Sequence, residues 1–363
     1  MPPPLAREGQ TLFSRLFPPP RFLEMRPAGL SISDDAITAL QLVPSGGGRR
    51  RLGRFGRRPL PPGAVSGGAL GDAEAVAREL RSLRDELKSD FVRVSLSEEK
   101  AYLFETTLPS VPLGEARNAI ELSLEENVPL APREAVFDCA LLARGNAGGA
   151  GDTYVVGAVP RGTAEAYADL VRAAGFLPVA LCLEAEAIAR AVLPFSPTDD
   201  AVLLLNMNAG KTGLFIVARG TVQFTSTVSV GCTHLTDAVG KFLGVGSEKA
   251  AAIQKGAPLP PGANASELLL SCANAVSVLK DEVVKLAAYW RTHGGAETAP
   301  IQKVVLAGLD AGFTGFDEYL SNAFGLPVEA GNVWRNAFSF DEYLPPIAFA
   351  DSFAYTAAVG LAL

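Results

Sequence analysis

Two stretches far apart in this chain read as the same device: an apolar strand, a short polar turn, a second strand and a return strand. The first runs Leu30-Ser31-Ile32-Ser33-Asp34-Asp35-Ala36-Ile37 and continues through Ala39-Leu40-Gln41-Leu42 to a Gly46-Gly47-Gly48 turn. The second runs from Leu203-Leu204-Leu205-Asn206-Met207 through Asn208-Ala209-Gly210-Lys211-Thr212 to Leu214-Phe215-Ile216-Val217, then turns at Arg219-Gly220 into Val222-Gln223-Phe224. Tight turns expose backbone N–H groups that form anion-binding concavities, so a duplicated strand-turn-strand can grip a nucleotide from two sides. The repeat constrains the fold and the ligand together.

With 363 residues the chain exceeds the size at which one core keeps growing, and two lobes are the expectation. A formal net charge of -7 argues against a general nucleic-acid binder, which needs a basic surface to neutralise phosphates. Cys139, Cys182, Cys232 and Cys272 show no C-x-x-C spacing, and His234 and His293 lie far apart, so no metal site is expected. Scattered thiols of this kind fit core positions in a reducing compartment. The N-terminus begins Met1-Pro2-Pro3-Pro4 without an apolar h-region, which argues against a secretory signal. The longest apolar runs, around Leu203 and Val304, are too short to cross a bilayer. A soluble, cytoplasmic protein is the expectation.

Residues 1–27 are rich in proline and arginine and read as a flexible tail, in which Leu12, Phe13, Leu16 and Phe17 make about one turn of apolar face. Arg49, Arg50, Arg51, Arg54, Arg57 and Arg58 crowd the third strand of the first unit, as a solvated face or as a patch for anionic headgroups. Asp72 followed by Val76, Leu80, Leu83 and Leu87 predicts a capped amphipathic helix. Strand 91–96 precedes a block of strand 101–106, helix 113–126, strands 135–142 and 153–159, helix 162–174 and strand 178–183, which reads as an α+β insertion with its own sheet. The second unit restarts after Ser196-Pro197-Thr198, with short helices over 237–243 and 247–254, a long helix over 266–293 and a buried strand at Val304-Val305-Leu306-Ala307. A helix over 316–324 and a small-residue helix over 352–363, suited to packing on a sheet, close the chain.

Gly210-Lys211-Thr212 after an apolar strand invites a Walker A reading, but Leu205 stands where that motif needs its first glycine, and a strand follows in place of a helix. The hairpin alternative needs a carboxylate at the end of each first strand to hold a metal through water, and small residues where backbone meets phosphate. Ser31 and Asn206 occupy those carboxylate positions, and neither carries the charge that attracts magnesium. Asp34 and Asp35 sit in the first turn, where they repel a triphosphate unless a cation intervenes. Gly308-Leu309-Asp310-Ala311-Gly312 follows a strand and opens a helix, a place for a base or ribose. The candidate nucleotide-contacting residues are therefore Ser33, Asp34, Asp35, Asn206, Asn208, Ala209, Gly210, Lys211, Thr212, Gly308, Asp310 and Ala311. No catalytic residue and no metal ligand is marked by context.

In this order the elements resemble the actin-like ATPase fold, an α/β architecture of duplicated RNase H-like lobes, and more closely the PilM family of type IV pilus assembly proteins, related to FtsA. The resemblance spans 28–363 and rests on Gly29 to Thr38, Pro59 to Val65, Glu125-Glu126-Asn127-Val128-Pro129-Leu130, Leu170 to Leu183, Val230 to Thr236, Gly315 to Leu320 and the ending Ala358 to Leu363. It implies subdomain 1A from 28–99, 182–199 and 347–363, an inserted 1C over 100–181, 2A from 200–240 and 300–346, and 2B over 241–299. It also implies a partner, the short cytoplasmic N-terminal tail of a PilN-like inner-membrane protein, and a place at the cytoplasmic face of the inner membrane. Other pilus assembly proteins and a homo-oligomer are further expected partners.

Against that family's pattern, aspartates become Ser31 and Asn206, glycines become Ser33 and Asn208, a lysine becomes Thr38, and a Gly-Gly-Gly-Ala-like adenosine motif becomes Gly308-Leu309-Asp310-Ala311. These departures predict weak or absent binding of ATP and magnesium and no useful hydrolysis. The expected function is a non-catalytic scaffold; the alternative is an active ATPase or small-molecule kinase of the same superfamily. A third reading keeps nucleotide as a switch through Lys211 and Thr212, with Gly308 substitution expected to abolish binding.

Overall fold

A computed structural model describes residues 26–45, 49–145, 151–195, 200–293, 299–309 and 311–363. The tail with its Leu12, Phe13, Leu16 and Phe17 face, the Gly46-Gly47-Gly48 turn, residues 146–150, Ser196-Pro197-Thr198 and Asp310 lie outside the described residues. The described residues form two compact units, one within 26–41 with 53–186, the other within 42–52 with 187–361.

The first unit opens with β1 (Ala28–Ile32), β2 (Ala36–Pro44) and β3 (Arg50–Pro59), then the small hairpin β4 (Val65–Ser66) and β5 (Ala69–Leu70). Helix α1 (Ala73–Leu87) follows, and its start is set by Asp72, whose Oδ1 accepts the Ala75 N–H at 3.0 Å, a cap worth about 1 kcal/mol. Its Val76, Leu80, Leu83 and Leu87 fall on one face at helical spacing and are fully buried. That face joins a core with Leu30 and Ile32 of β1 and Val92 and Val94 of β6 (Phe91–Leu96).

Next come β7 (Tyr102–Leu108), α2 (Leu113–Asn127), β8 (Ala135–Ala143), β9 (Asp152–Pro160), α3 (Arg161–Ala173) and β10 (Leu177–Leu183). Strands β7, β9 and β8, in that order, form a separate antiparallel sheet. It is covered by α2 through Ala116, Ile120 and Leu124, four residues apart and fully buried. The expected insertion therefore has its own sheet, spanning Tyr102–Pro160. The rest of the 100–181 segment behaves differently: Tyr167, Leu170 and Val171 of α3 belong to the first core, and β10 pairs in parallel with β6. The first sheet has the order β10-β6-β1-β2-β3, with β1 antiparallel to β2 and parallel to β6.

The second unit contains α4 (Glu184–Val192) from Ala187 onward, then β11 (Ala201–Met207), β12 (Thr212–Ala218), β13 (Thr221–Val228), α5 (Cys232–Leu243), α6 (Ser247–Gln254), α7 (Ala265–Ser271) and α8 (Ala273–His293). It ends with β14 (Ile301–Gly308), α9 (Phe316–Phe324), β15 (Val328–Ala330), α10 (Phe349–Ser352) and α11 (Thr356–Ala362). Its sheet runs β13-β12-β11-β14-β15, with β11 antiparallel to β12 and parallel to β14. Every residue of β11 and β12 is buried, as central strands covered on both faces require.

Ranked by chain order, both sheets read third, second, first, fourth, fifth, with the same parallel and antiparallel sense about the first strand. The sequence repeat is thus a repeat of topology.

Two expectations change. The helix read over 266–293 breaks at Cys272, whose N–H bonds back to Leu269 at 3.1 Å, so α7 and α8 are separate. The closing helix is likewise divided, and besides the 353–355 turn lying against β14 it packs closely on a helix: a Cβ on Gly360 would stand 1.7 Å from the Ala187 carbonyl oxygen of α4. Arg190 Nη1 donates to the Gly360 carbonyl at 3.1 Å, and Asn336 Nδ2 donates to Arg190 and Leu193 carbonyls at 2.8 and 2.6 Å. These bonds join 187–193 to residues 336 and 360 within the second unit.

Candidate functional site

The first candidate turn, Ser33-Asp34-Asp35, joins β1 to β2 and is closed by its own groups. Ser33 N–H donates to the Ala36 carbonyl at 3.0 Å, and Ser33 Oγ accepts the Ala36 N–H at 3.3 Å. Asp35 accepts from Ser33 Oγ at 2.9 Å and from Arg57 Nη2 at 3.1 Å; Asp34 Oδ2 accepts the Gly67 N–H at 3.3 Å. A phosphate needs free N–H donors, and those of Ser33 and Ala36 are already bonded. Ser31 is buried, and Ser95 Oγ accepts the Ile32 N–H at 3.1 Å while donating to Ser31 Oγ at 3.2 Å. The position where a metal carboxylate is required is thus a serine pair knitting β1 to β6. Nearby, burial first, and then the charges of Asp34 and Glu184, push the Tyr167 hydroxyl well above the ordinary tyrosine range.

The second turn lies in the other unit. Asn206 and Met207 end β11, Asn208, Ala209, Gly210 and Lys211 form the turn, Thr212 begins β12 and Gly308 ends β14. Register brings several of these together: Asn206 lies between Gly213 and Ala307, and Met207 between Thr212 and Gly308. Ala311 is buried in the next turn, its N–H 3.3 Å from the Gly308 carbonyl. Helix α9 begins only at Phe316, so the Gly308 turn does not open a helix as expected; Gly315 in the left-handed region starts it.

The turn is docked on the N-terminus of α5. The Asn208 and Ala209 carbonyls each accept at 2.9 Å, from the Cys232 and Thr233 N–H groups, and Thr233 Oγ1 adds a bond to Ala209 at 2.8 Å. A helix N-terminus is a ready anion site, and here main-chain oxygens of the hairpin take its donors. Gly231 makes this approach feasible, because a Cβ there would lie 2.4 Å from both the Asn208 carbonyl oxygen and the Lys211 nitrogen. Gly308 has φ +84°, and a Cβ there would meet the Met207 oxygen at 2.3 Å. Thr212, assigned to phosphate by the sequence, donates instead to the Val230 carbonyl at 2.6 Å. One polar atom is left over: Asn206 Nδ2 is buried without a hydrogen-bond partner among the described residues.

Sequence reasoning missed Ser95, Gly67 and Arg57 at the first turn and Gly231 and Thr233 at the second. Gly231 and Thr233 carried a signal, since they lie in a quoted stretch just before a helix, and Arg57 was singled out in the arginine run but not tied to this turn. Within the arginine run, Arg54 bonds the Glu86 carbonyl at 3.0 Å, Arg57 pairs with Asp35, Arg58 pairs with Glu86, Arg49 pairs with Glu342 at 3.2 Å and Arg50 donates to the Leu363 carbonyl at 3.3 Å.

Comparison with known proteins places this geometry. The family model described as type IV pilus assembly protein PilM matches residues 29–363. Among solved structures, a PilM-PilN type IV pilus biogenesis complex is similar with TM-score 0.73 and 20% identity, over 93% of this chain and 97% of that one. The ethanolamine utilization protein EutJ of Carboxydothermus hydrogenoformans is similar with TM-score 0.52 and 16% identity, over 93% and 88%. MreB5 of Spiroplasma citri, bound to ADP, is similar with TM-score 0.51 and 13% identity, over 93% and 95%. At these identities the structural likenesses establish an actin-like fold.

Proposed function

This chain belongs to the PilM family of type IV pilus assembly proteins, and from that premise we propose that it is a non-catalytic actin-like scaffold that binds the cytoplasmic N-terminal tail of a PilN-like inner-membrane protein. The family match over 29–363 carries the reading, and the similar complex contains PilM together with PilN. Among the described residues no helix is long and apolar enough to cross a membrane; in this reading the PilN-like partner is what holds the chain at the inner membrane.

The residues at the two turns do not fit magnesium and a triphosphate. Ser31 is held by Ser95, Asn206 is uncharged, and the N–H donors of Ser33, Ala36, Cys232 and Thr233 are bonded within the chain. Phosphoryl transfer depends on metal charge and positioned donors, and these groups supply little of either. Co-purification with a tagged PilN-like protein tests the scaffold: recovery is expected with the full partner and lost when its cytoplasmic leader is deleted. Recovery that ignores the leader overturns the partner assignment. Calorimetric titration with ATP and magnesium is expected to show no micromolar binding and no turnover; both together would restore the enzyme reading.

The switch reading has one observation in its favour, the orphaned amide of Asn206, which a ligand oxygen would satisfy. Binding without turnover that weakens in Asn206→Ala selects it.

A further inference from the structure

In the three-stranded sheet, β8 has β9 on one side and, among the described residues, no strand on the other. In an antiparallel strand alternate residues aim both backbone groups at opposite neighbours. Those of β8 that point away from β9 are revealed by what holds them. The Ala135 carbonyl accepts from Arg161 Nη2 at 3.0 Å, the Phe137 carbonyl accepts from Arg117 Nη2 at 2.9 Å, and the Cys139 N–H donates to Asp138 Oδ1 at 2.9 Å. Arg117 and Asp138 are joined at 3.2 Å, and the Arg117 guanidinium lies 4.7 Å over the Phe137 ring. Two side chains, one from α2 and one from β8, therefore occupy the donor and acceptor at the middle of a free edge.

An unblocked edge is a template for another strand. We propose that Arg117 and Asp138 are a guard that keeps β8 from pairing antiparallel with β8 of a second copy of this chain. A second copy is the occupant because the edge is self-complementary. The regular β8–β9 pairing runs to Leu141, just before the register shift between Leu141 and Ala143, so by the same alternation residues 137, 139 and 141 point outward, spaced evenly about Cys139. A two-fold axis there sets Phe137 against Leu141 of the second copy and Cys139 against its own counterpart, each pair exchanging both backbone bonds. Val136 and Leu141, 37% and 39% exposed, add apolar surface to the contact. The Arg117–Asp138 ion pair is solvent-exposed and contributes little as a charge pair. Its effect is geometric, since an incoming strand must first displace both groups from the backbone atoms it needs.

The test is sedimentation of the full-length protein over a concentration series, comparing wild type with Arg117→Ala/Asp138→Ala, followed by mild oxidation. The variant is expected to self-associate roughly tenfold or more tightly than wild type. Facing residues of such a pair come within disulfide reach, so oxidation is expected to link the variant through Cys139, and Cys139→Ser in the same background to abolish the link. Should alanine at 117 unfold the protein, Arg117→Met with Asp138→Ala keeps the aliphatic stem over Phe137 and is expected to behave alike. Sedimentation unchanged from wild type in a folded variant, or association without the Cys139 link, overturns the proposal.

Discussion

At the scale of single residues, Gly308 shows how a ligand argument and a packing argument can point to one position. Its place after a buried strand suggested a nucleotide contact, yet φ +84° and the 2.3 Å approach to the Met207 oxygen demand glycine whether or not anything binds. Gly308→Ala is expected to cost about 2–4 kcal/mol of stability, the range of a strained backbone that must also shift. Urea denaturation without nucleotide reads this, and an undiminished midpoint would return the residue to a ligand role. Loss of ATP binding in a bulky Gly308 variant is therefore no evidence for contact, because the strand end itself is disturbed. Ser31 and Asn206 could be read in advance as uncharged where a metal carboxylate is needed. What Ser31 does instead could not be read, since its partner Ser95 is 64 residues away.

Among elements, those with a strong local signal were legible: α1 from its aspartate cap and apolar spacing, α6 at both ends, and the β11–β12 hairpin. Of the misread or missed elements, two had a local signal that was overlooked and one owes its form to tertiary pairing. The break at Cys272 falls among Ser271, Cys272 and Asn274, weak helix formers whose signal was passed over, α4 was passed over although its Ala, Glu and Arg residues favour helix, and β15 has only three residues, paired to β14. The insertion's sheet was visible as alternation, while the pin that closes one end of it was not. Asp152 Oδ1 accepts the Gly145 N–H at 2.9 Å and the Ser110 hydroxyl at 2.8 Å, and these bonds hold its carboxyl below the ordinary value of 3.8. A lowered folded pKa gives stability that is complete above the ordinary value and fades as pH falls through the folded one. Asp152→Asn, whose neutral oxygen accepts more weakly, is expected to unfold at lower urea than wild type at neutral pH. The gap should close as pH falls below the ordinary carboxylate range and through the lowered folded value, and a gap that persists in acid would show that packing, not charge, is what the substitution removes.

For the whole molecule, the two sheets share one strand order although their sequences share little beyond pattern, because topology follows the order of strands and turns while side chains diverge. The resemblance to PilM supplied what pattern cannot, a partner and a place in the cell, and these set the final prediction. Six arginines near β3 suggested that the chain might grip anionic lipid directly. Five of them, Arg49, Arg50, Arg54, Arg57 and Arg58, bond to acidic side chains or to a carbonyl of this same chain, and the net charge of -7 opposes approach to an anionic surface. Membrane association should then run through the partner. In flotation assays at low salt the protein is expected to stay at the bottom with bare anionic vesicles. It should rise with vesicles carrying a PilN-like protein, and sink again when that protein lacks its cytoplasmic leader. Flotation on bare vesicles that disappears at high salt would return the arginine run to the headgroup reading, whatever the partner contributes.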